Sequence, residues 1–266
     1  MNDQDPYIDY NIHVYGSGPQ TVVFAHGLGL DQNCWNLISE NFKQFRIVVY
    51  DLIGFTKKSS DHFDHYKYRS MKTYAEDLIR IIRHTNSRNC YYVGHSVSGM
   101  IGLLAAIEHP SLFRKIVTIG MSPCYMNKDD YAGGFDEKDI DDLIDAISSN
   151  YVEWAVEFSK MAVAKPANHP AVQRFADGLM GMRPDIALSL ALMIFSSDFR
   201  DVLGKVSVPC HLIQTVGDPA VPVRVGEYVQ SRISGSTLEI IDAEGHVPQF
   251  THADVLSDAI LQALKD

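Results

Sequence analysis

Positive charge is scarce in this chain. Lys and Arg number 23 against 33 for Asp and Glu, a net charge of −10 with histidine neutral. A surface that acidic repels phosphate backbones and anionic headgroups, which excludes nucleic acid and a membrane surface as main partners. Long apolar runs are missing as well. The two longest, 100–107 and 187–195, fall far short of the ~20 residues a spanning helix needs. The opening Met1-Asn2-Asp3-Gln4-Asp5-Pro6 has no basic residue and no apolar stretch, so it does not read as a secretory signal. Cysteine is sparse and scattered (Cys34, Cys90, Cys124, Cys210), with no Cys-x-x-Cys pair. That usage reads as reduced, mostly buried thiols of an intracellular protein and not as a disulfide framework.

Cofactor signals are equally thin. Gly16-Ser17-Gly18 precedes a strand instead of following one, so it is not a dinucleotide-binding turn. Asp61-His62-Phe63-Asp64-His65 has ligand-like spacing, but it lies beside Lys57, Lys58 and Lys67 with no second His-rich cluster. It reads as a solvated loop. Neither a metal nor a cofactor is expected.

What the chain does have is alternation. Apolar residues make up 46% and charged residues 21%, which excludes wholesale disorder. Short runs rich in β-branched and aromatic residues recur at 21–25, 46–50, 91–93, 115–119, 211–216 and 238–241, as strands buried on both faces do. Between them lie amphipathic helical patterns, carried by Tyr74, Leu78, Ile81 and Ile82, by Val225, Val229 and Ile233, and by Leu256, Ile260 and Leu264. The expected fold class is α/β, a mostly parallel sheet with helices on both faces. From 125 to 195 the strand pattern stops. Helix-length segments at 136–149, 151–164, 171–182 and 184–195 follow, punctuated by Pro166, Pro170 and Pro184. Residues 1–124 and 196–266 are thus expected to form the core, and 125–195 an inserted four-helix cap over the sheet edge where ligands bind.

The sharpest signal is Tyr91-Tyr92-Val93-Gly94-His95-Ser96-Val97-Ser98-Gly99-Met100. A strand runs into a tight turn at Ser96 and an apolar helix follows at once, the context of a nucleophile elbow. The full pattern asks for glycine where Ser98 stands. A small residue there still permits close strand–helix packing, and the plainer reading, a serine capping a helix, fits the flanking strand less well. A nucleophilic serine needs a base, and the base needs an orienting acid. Asp218 follows one strand and His246 the next, in the chain order this context requires, with room for one helix and one strand between them. Asp242 precedes His246 closely and reads as a turn former. His252 is a weaker base candidate, and His95 reads as a packed neighbour. Phe24-Ala25-His26-Gly27-Leu28-Gly29 supplies a second loop. The backbone N–H groups of Leu28 and Val97 are expected to form the oxyanion hole, with His26 bracing the loop.

Several of these stretches resemble one family. Gly94-His95-Ser96-Val97-Ser98 running into Gly99-Met-Ile-Gly-Leu-Leu-Ala105, Ser122-Pro123, Asp130-Tyr131-x-Gly133-Gly134-Phe135, Met182-Arg-Pro-Asp185-Ile-Ala-Leu-Ser189 and Ser207-Val-Pro-Cys210-His211 are similar to the karrikin and strigolactone receptor group of plant α/β-hydrolases. Asp218-Pro-Ala-Val-Pro222 and Gly245-His246-Val-Pro248-Gln249 resemble the karrikin-receptor branch. A bacterial stress-response hydrolase of the sigma-B pathway shares the elbow and the Gly-Gly-Phe segment. The resemblance implies an α/β-hydrolase fold and a cofactor-free Ser-His-Asp hydrolase acting slowly on a butenolide- or karrikin-type ligand. It also implies signalling through the cap to an F-box subunit of a ubiquitin ligase and the repressors that ligase removes. A monomer in the cytoplasm and nucleus is expected. The alternative is an intracellular esterase or lactonase without a signalling role.

By the same resemblance, Tyr125, Phe135, Leu143, Phe158, Ile194 and Phe195 bind the ligand above Ser96, over a floor of Leu28 and Val97. Leu28 stands where the family usually has phenylalanine, Gly99 where it has alanine, and the loop 51–58 is less rich in small residues. Loss of a ring at Leu28 leaves space, so the expected pocket is larger or reshaped, favouring bulky lactones over a small planar karrikin.

Overall fold

The computed structural model describes residues 8–265. Each apolar run found in the sequence is a strand: β1 (His13–Tyr15) is added at the edge, followed by β2 (Thr21–Ala25), β3 (Arg46–Val49), β4 (Cys90–His95), β5 (Phe113–Ile119), β6 (Cys210–Gly217) and β7 (Thr237–Glu244). They form one sheet in the order β1-β3-β2-β4-β5-β6-β7. Only β1 runs antiparallel to its neighbour. All six residues of β4 are buried, so both faces of the sheet are covered there. The strand β1 has no apolar periodicity to betray it, because all three of its residues are exposed.

Helices connect the strands. α1 (Met71–His84) starts at Ser70, whose side chain accepts from the Lys72 N–H, and buries Tyr74, Leu78, Ile81 and Ile82. α2 (Val97–Glu108) buries nearly all of its residues and packs against β4 and β5. Between β5 and β6 come α3 (Glu137–Ser149), α4 (Tyr151–Val163), α5 (Pro170–Met180) and α6 (Pro184–Phe195). Asp136 and Asp139 close a capping box at the start of α3, and prolines occupy the first positions of α5 and α6, where a missing N–H costs nothing. α3 packs on α4 and α6, and α4 on α5. α7 (Val223–Arg232), α8 (Pro248–Thr251) and α9 (Ala253–Lys265) complete the chain.

One expectation is corrected. The strand β7 continues to Glu244, so Asp242 is an exposed strand residue and not a turn former. The turn comes at Gly245, with φ 84°, a conformation glycine reaches without a Cβ penalty. The Asp61–His65 stretch is largely exposed, as a solvated loop should be, and its last residue makes two contacts across the surface. The His65 ring lies 2.9 Å from Ser189 Oγ and 3.3 Å from Asp185 Oδ2, both on α6. It ties the core to that helix.

Candidate active site

The parallel strands end on one edge, and their following loops carry His26–Leu28 after β2, Ser96 after β4, Gly120 after β5, Asp218 after β6 and His246 after β7. Ser96 has φ 56° and ψ −125°, a strained conformation for a residue with a side chain. The turn is held by the Ser96 N–H donating to the Ile119 carbonyl at 2.8 Å. Gly94 makes it possible, since a Cβ there would lie 2.6 Å from the Ser98 carbonyl oxygen. At Gly99 a Cβ would lie 2.6 Å from Met121 Cβ; the family's alanine would have to displace that side chain.

Ser96, His246 and Asp218 meet at this edge. Ser96 Oγ lies 2.8 Å from His246 Nε2, and His246 Nδ1 lies 2.7 Å from Asp218 Oδ2. The other Asp218 oxygen accepts from the Ala220 and Val221 N–H groups at 2.8 and 3.0 Å. A carboxylate so held accepts a hydrogen bond from Nδ1–H, which keeps the proton on Nδ1 and leaves Nε2 as an acceptor for the serine hydroxyl. The backbone of His246 is fixed as firmly. Its N–H donates to the Ala162 carbonyl at the end of α4 (2.6 Å), and its carbonyl accepts from His95 Nε2 (2.7 Å).

His95 is buried, and burial beside His246 pushes its pKa down to about 3. It is a neutral donor behind the base, as a packed neighbour should be. His252 closes α8 and bonds to Thr251, away from this cluster. Leu28 makes no backbone hydrogen bond among the described residues. Val97, as the first residue of α2, has no intrahelical acceptor. Two unused N–H donors beside a serine hydroxyl suit a developing oxyanion.

Above Ser96 is a narrow cavity of about 20 Å³, on the order of one water molecule. Leu28, Ser96, Tyr125, Phe158, Phe175, Ile194, Phe195, Ala220 and His246 line it. The Tyr125 hydroxyl lies 3.5 Å from Ser96 Oγ, and burial raises its pKa to about 12; it stays protonated. Three expected lining residues are elsewhere. Phe135 is half-buried behind Phe195, ring to ring at 5.6 Å. Leu143, on α3, is half-buried against the hydrophobic core and does not line the cavity. The Val97 side chain is buried in the core, and only its backbone belongs to the site. Phe175 and Ala220 were not anticipated. Phe175 shares its helix with Val172 and Leu179, and that apolar spacing is indistinguishable from core in sequence. The extra room expected at Leu28 is not seen: the cavity that Leu28 and Phe175 line together holds only about 20 Å³.

Among the described residues no cluster of His, Cys, Asp or Glu is arranged to hold a metal.

Residues 20–253 match the family model of the alpha/beta hydrolase fold. The chain belongs to the α/β-hydrolase family, in the group that holds the karrikin receptors and strigolactone esterases. It is 44% identical over 255 residues to a karrikin insensitive 2 receptor of Petunia hybrida, covering 95% of this chain and 94% of that one. It is 42% identical over 257 residues to a strigolactone esterase of Arabidopsis thaliana, covering 96% of each. The structure superposes on a hydrolase from Oleispira antarctica with a TM-score of 0.92 at 32% identity, covering 98% of this chain and 96% of that one. Fold and relatives together define an enzyme of the ester-hydrolase class.

Proposed function

We propose that this chain is a slow serine hydrolase that doubles as a receptor for a butenolide- or karrikin-type lactone. Ser96 is the nucleophile, His246 the general base and then acid, and Asp218 the group that orients the imidazole and stabilises its charged form. Ser96 Oγ attacks the ester carbonyl while its proton passes to His246 Nε2. The Leu28 and Val97 N–H groups receive the oxyanion. Collapse breaks the ester C–O bond, opening the lactone ring with its oxygen protonated by His246 and its acyl carbon bonded to Ser96 Oγ. A water that gives its proton to the same imidazole then attacks that carbon, the acyl–Oγ bond breaks, the acid leaves and Ser96 regains its proton from His246.

The observation that carries this reading is the unbroken hydrogen-bond line Asp218–His246–Ser96 at the floor of a narrow, aromatic-walled cavity. Receptor behaviour draws support from the same cavity. A space of about 20 Å³ is too small for a lactone, so binding requires the residues that α4, α5 and α6 place in its wall to move, which would couple occupancy to those helices. The surface so changed is proposed to be read by an F-box subunit and its repressor target, with the protein acting as a monomer in the cytoplasm and nucleus. The relatives' printed names, receptor and esterase, fit both halves of this proposal.

The test measures turnover of a fluorogenic butenolide ester beside the ligand-induced change in melting temperature. Slow turnover with a ligand-specific melting shift, both lost in Ser96→Ala, is expected. Rapid turnover with no shift would leave a plain esterase. Near-normal turnover by Ser96→Ala would remove the nucleophile assignment.

A further inference from the structure

Ser98 occupies the elbow position where the general pattern has glycine, and the chemistry above gives it no task. Its side chain is fully buried. Its hydroxyl donates to the backbone carbonyl of His26 at 2.5 Å, while its own carbonyl accepts from the Tyr92 hydroxyl at 2.8 Å. Ser98 therefore joins the first turn of α2 to the first residue of the loop after β2. Those two segments carry the two oxyanion donors, Val97 on the helix and Leu28 on the loop.

The rest of the loop is anchored on its far side. The His26 ring accepts the Leu52 N–H at Nε2 (3.0 Å), which leaves Nδ1 protonated to donate to the Gly27 carbonyl (3.0 Å). Asp51 accepts the Gln32 N–H at 3.0 Å and the Asn11 side-chain amide at 2.8 Å. On the near side Gly27 lies against the elbow, where a Cβ would come within 3.0 Å of Ser96 Cβ and 2.7 Å of His95 Nδ1. Packing alone brings loop and elbow together there. The Ser98 hydroxyl adds a directional bond between them.

We infer that Ser98 is a positioning residue: it sets the separation of the Leu28 and Val97 N–H groups and so tunes the oxyanion hole without touching substrate. This rests on the assignment of Ser96 as nucleophile. Donors drawn from two separate segments stabilise an oxyanion only when both are held at hydrogen-bond distance from the point where its charge develops. With glycine at this position the His26 carbonyl would lose its partner, and the spacing would depend on packing alone.

The experiment compares wild type, Ser98→Ala, Ser98→Gly and Ser98→Thr on an activated ester. Each is also titrated with a trifluoromethyl ketone, which forms the tetrahedral oxyanion on Ser96, and with a non-hydrolysable ground-state analogue. Deleting an oxyanion donor outright costs ~10²–10³ in kcat, and misplacing a pair is expected to cost about 10–100-fold. The expected result is that loss in kcat for Ser98→Ala and Ser98→Gly, with KM within about twofold. Ketone affinity should fall in parallel and ground-state affinity should hold, whereas Ser98→Thr keeps most of kcat. A structural defect would instead weaken both ligands alike. Wild-type kcat in Ser98→Ala and Ser98→Gly, or equal losses for ketone and ground-state analogue, would overturn the inference. Should Ser98→Ala melt too low to assay, the Gly and Thr variants carry the same comparison. Persistent hydrolysis by Ser96→Ala would instead remove the underlying assignment, a result that Ser98 variants cannot mimic.

Discussion

A neutral imidazole stands directly behind the proposed base. His95 donates from Nε2 to the His246 carbonyl, and its buried Nδ1 has no partner. Protonating it would place a second proton in an apolar contact and a positive charge with its ring centroid 5.0 Å from that of His246. In the folded protein it binds a proton only near pH 3, against an ordinary value of 6.5. Between those values the unfolded chain holds more protons, so stability rises with pH and is lost as pH falls below about 6.5. One such group costs roughly 2 kcal/mol between pH 7 and pH 5. Melting curves at the two values should show that loss, and His95→Gln should flatten it. Equal melting temperatures in the wild type would contradict the buried, neutral histidine. The acid can be tested as directly. Asp218→Asn is expected to lower kcat by about 10²–10⁴, while Asp242→Asn, an exposed strand position, should leave it unchanged. The opposite pattern would move the acid to Asp242.

At the scale of elements, two cap helices reach the machinery through backbone contacts. The end of α4 accepts the His246 N–H, and a Cβ on Gly245 would lie 2.5 Å from the Val163 carbonyl. Ala164, which closes α4, is left-handed at φ 54°, a conformation that favours glycine. Ala164→Gly should therefore raise stability by about 0.5–1 kcal/mol, read as a higher melting temperature with unchanged turnover. A lower melting temperature would mean that the Ala164 methyl packs usefully. Helix α5 sits on the loop after β2 at Gly178, where a Cβ would meet the Gly29 carbonyl oxygen at 2.0 Å. Alanine in place of a helix glycine ordinarily stabilises by about 0.5–1 kcal/mol. Here the opposite sign is expected, a loss of about 1–3 kcal/mol by overpacking, together with slower hydrolysis as the loop bearing Leu28 moves. A stabilised, fully active Gly178→Ala would show that helix and loop are not in firm contact.

For the whole molecule, helices inserted between β5 and β6 cover the site. Phe158, Phe175, Ile194 and Phe195 descend on Ser96 from three different helices, and Phe175 is the ring that reaches the loop beside Leu28. Phe175→Ala is expected to cost about 3–5 kcal/mol of stability while raising turnover of bulky esters relative to small ones. Activity profiles that stay parallel across ester size would show that Phe175 does not limit entry. The strands β2 to β7 and most helix limits were legible because parallel strands buried on both faces carry concentrated β-branched and aromatic residues, and because caps and prolines mark helix starts. Ser96, Asp218 and His246 were legible for a related reason. Each lies at or just beyond the end of such a strand, and a strand end in a parallel sheet faces the ligand edge wherever the chain goes afterwards. The cavity wall was not legible in the same way. Which face of a cap helix meets the site depends on how four helices pack on one another, and apolar spacing is the same on a wall as in a core. That is why Phe135 and Leu143 fell behind the wall while Phe175 and Ala220 entered it. The sequence by itself determined the sheet, the strand–turn–helix at Ser96 and the chain order of Ser96, Asp218 and His246, all consequences of local patterns. Only the tertiary structure decided the size of the cavity, the anchoring of His246 on α4 and the bond from Ser98 to His26, because each joins segments far apart in the chain whose meeting leaves no local mark.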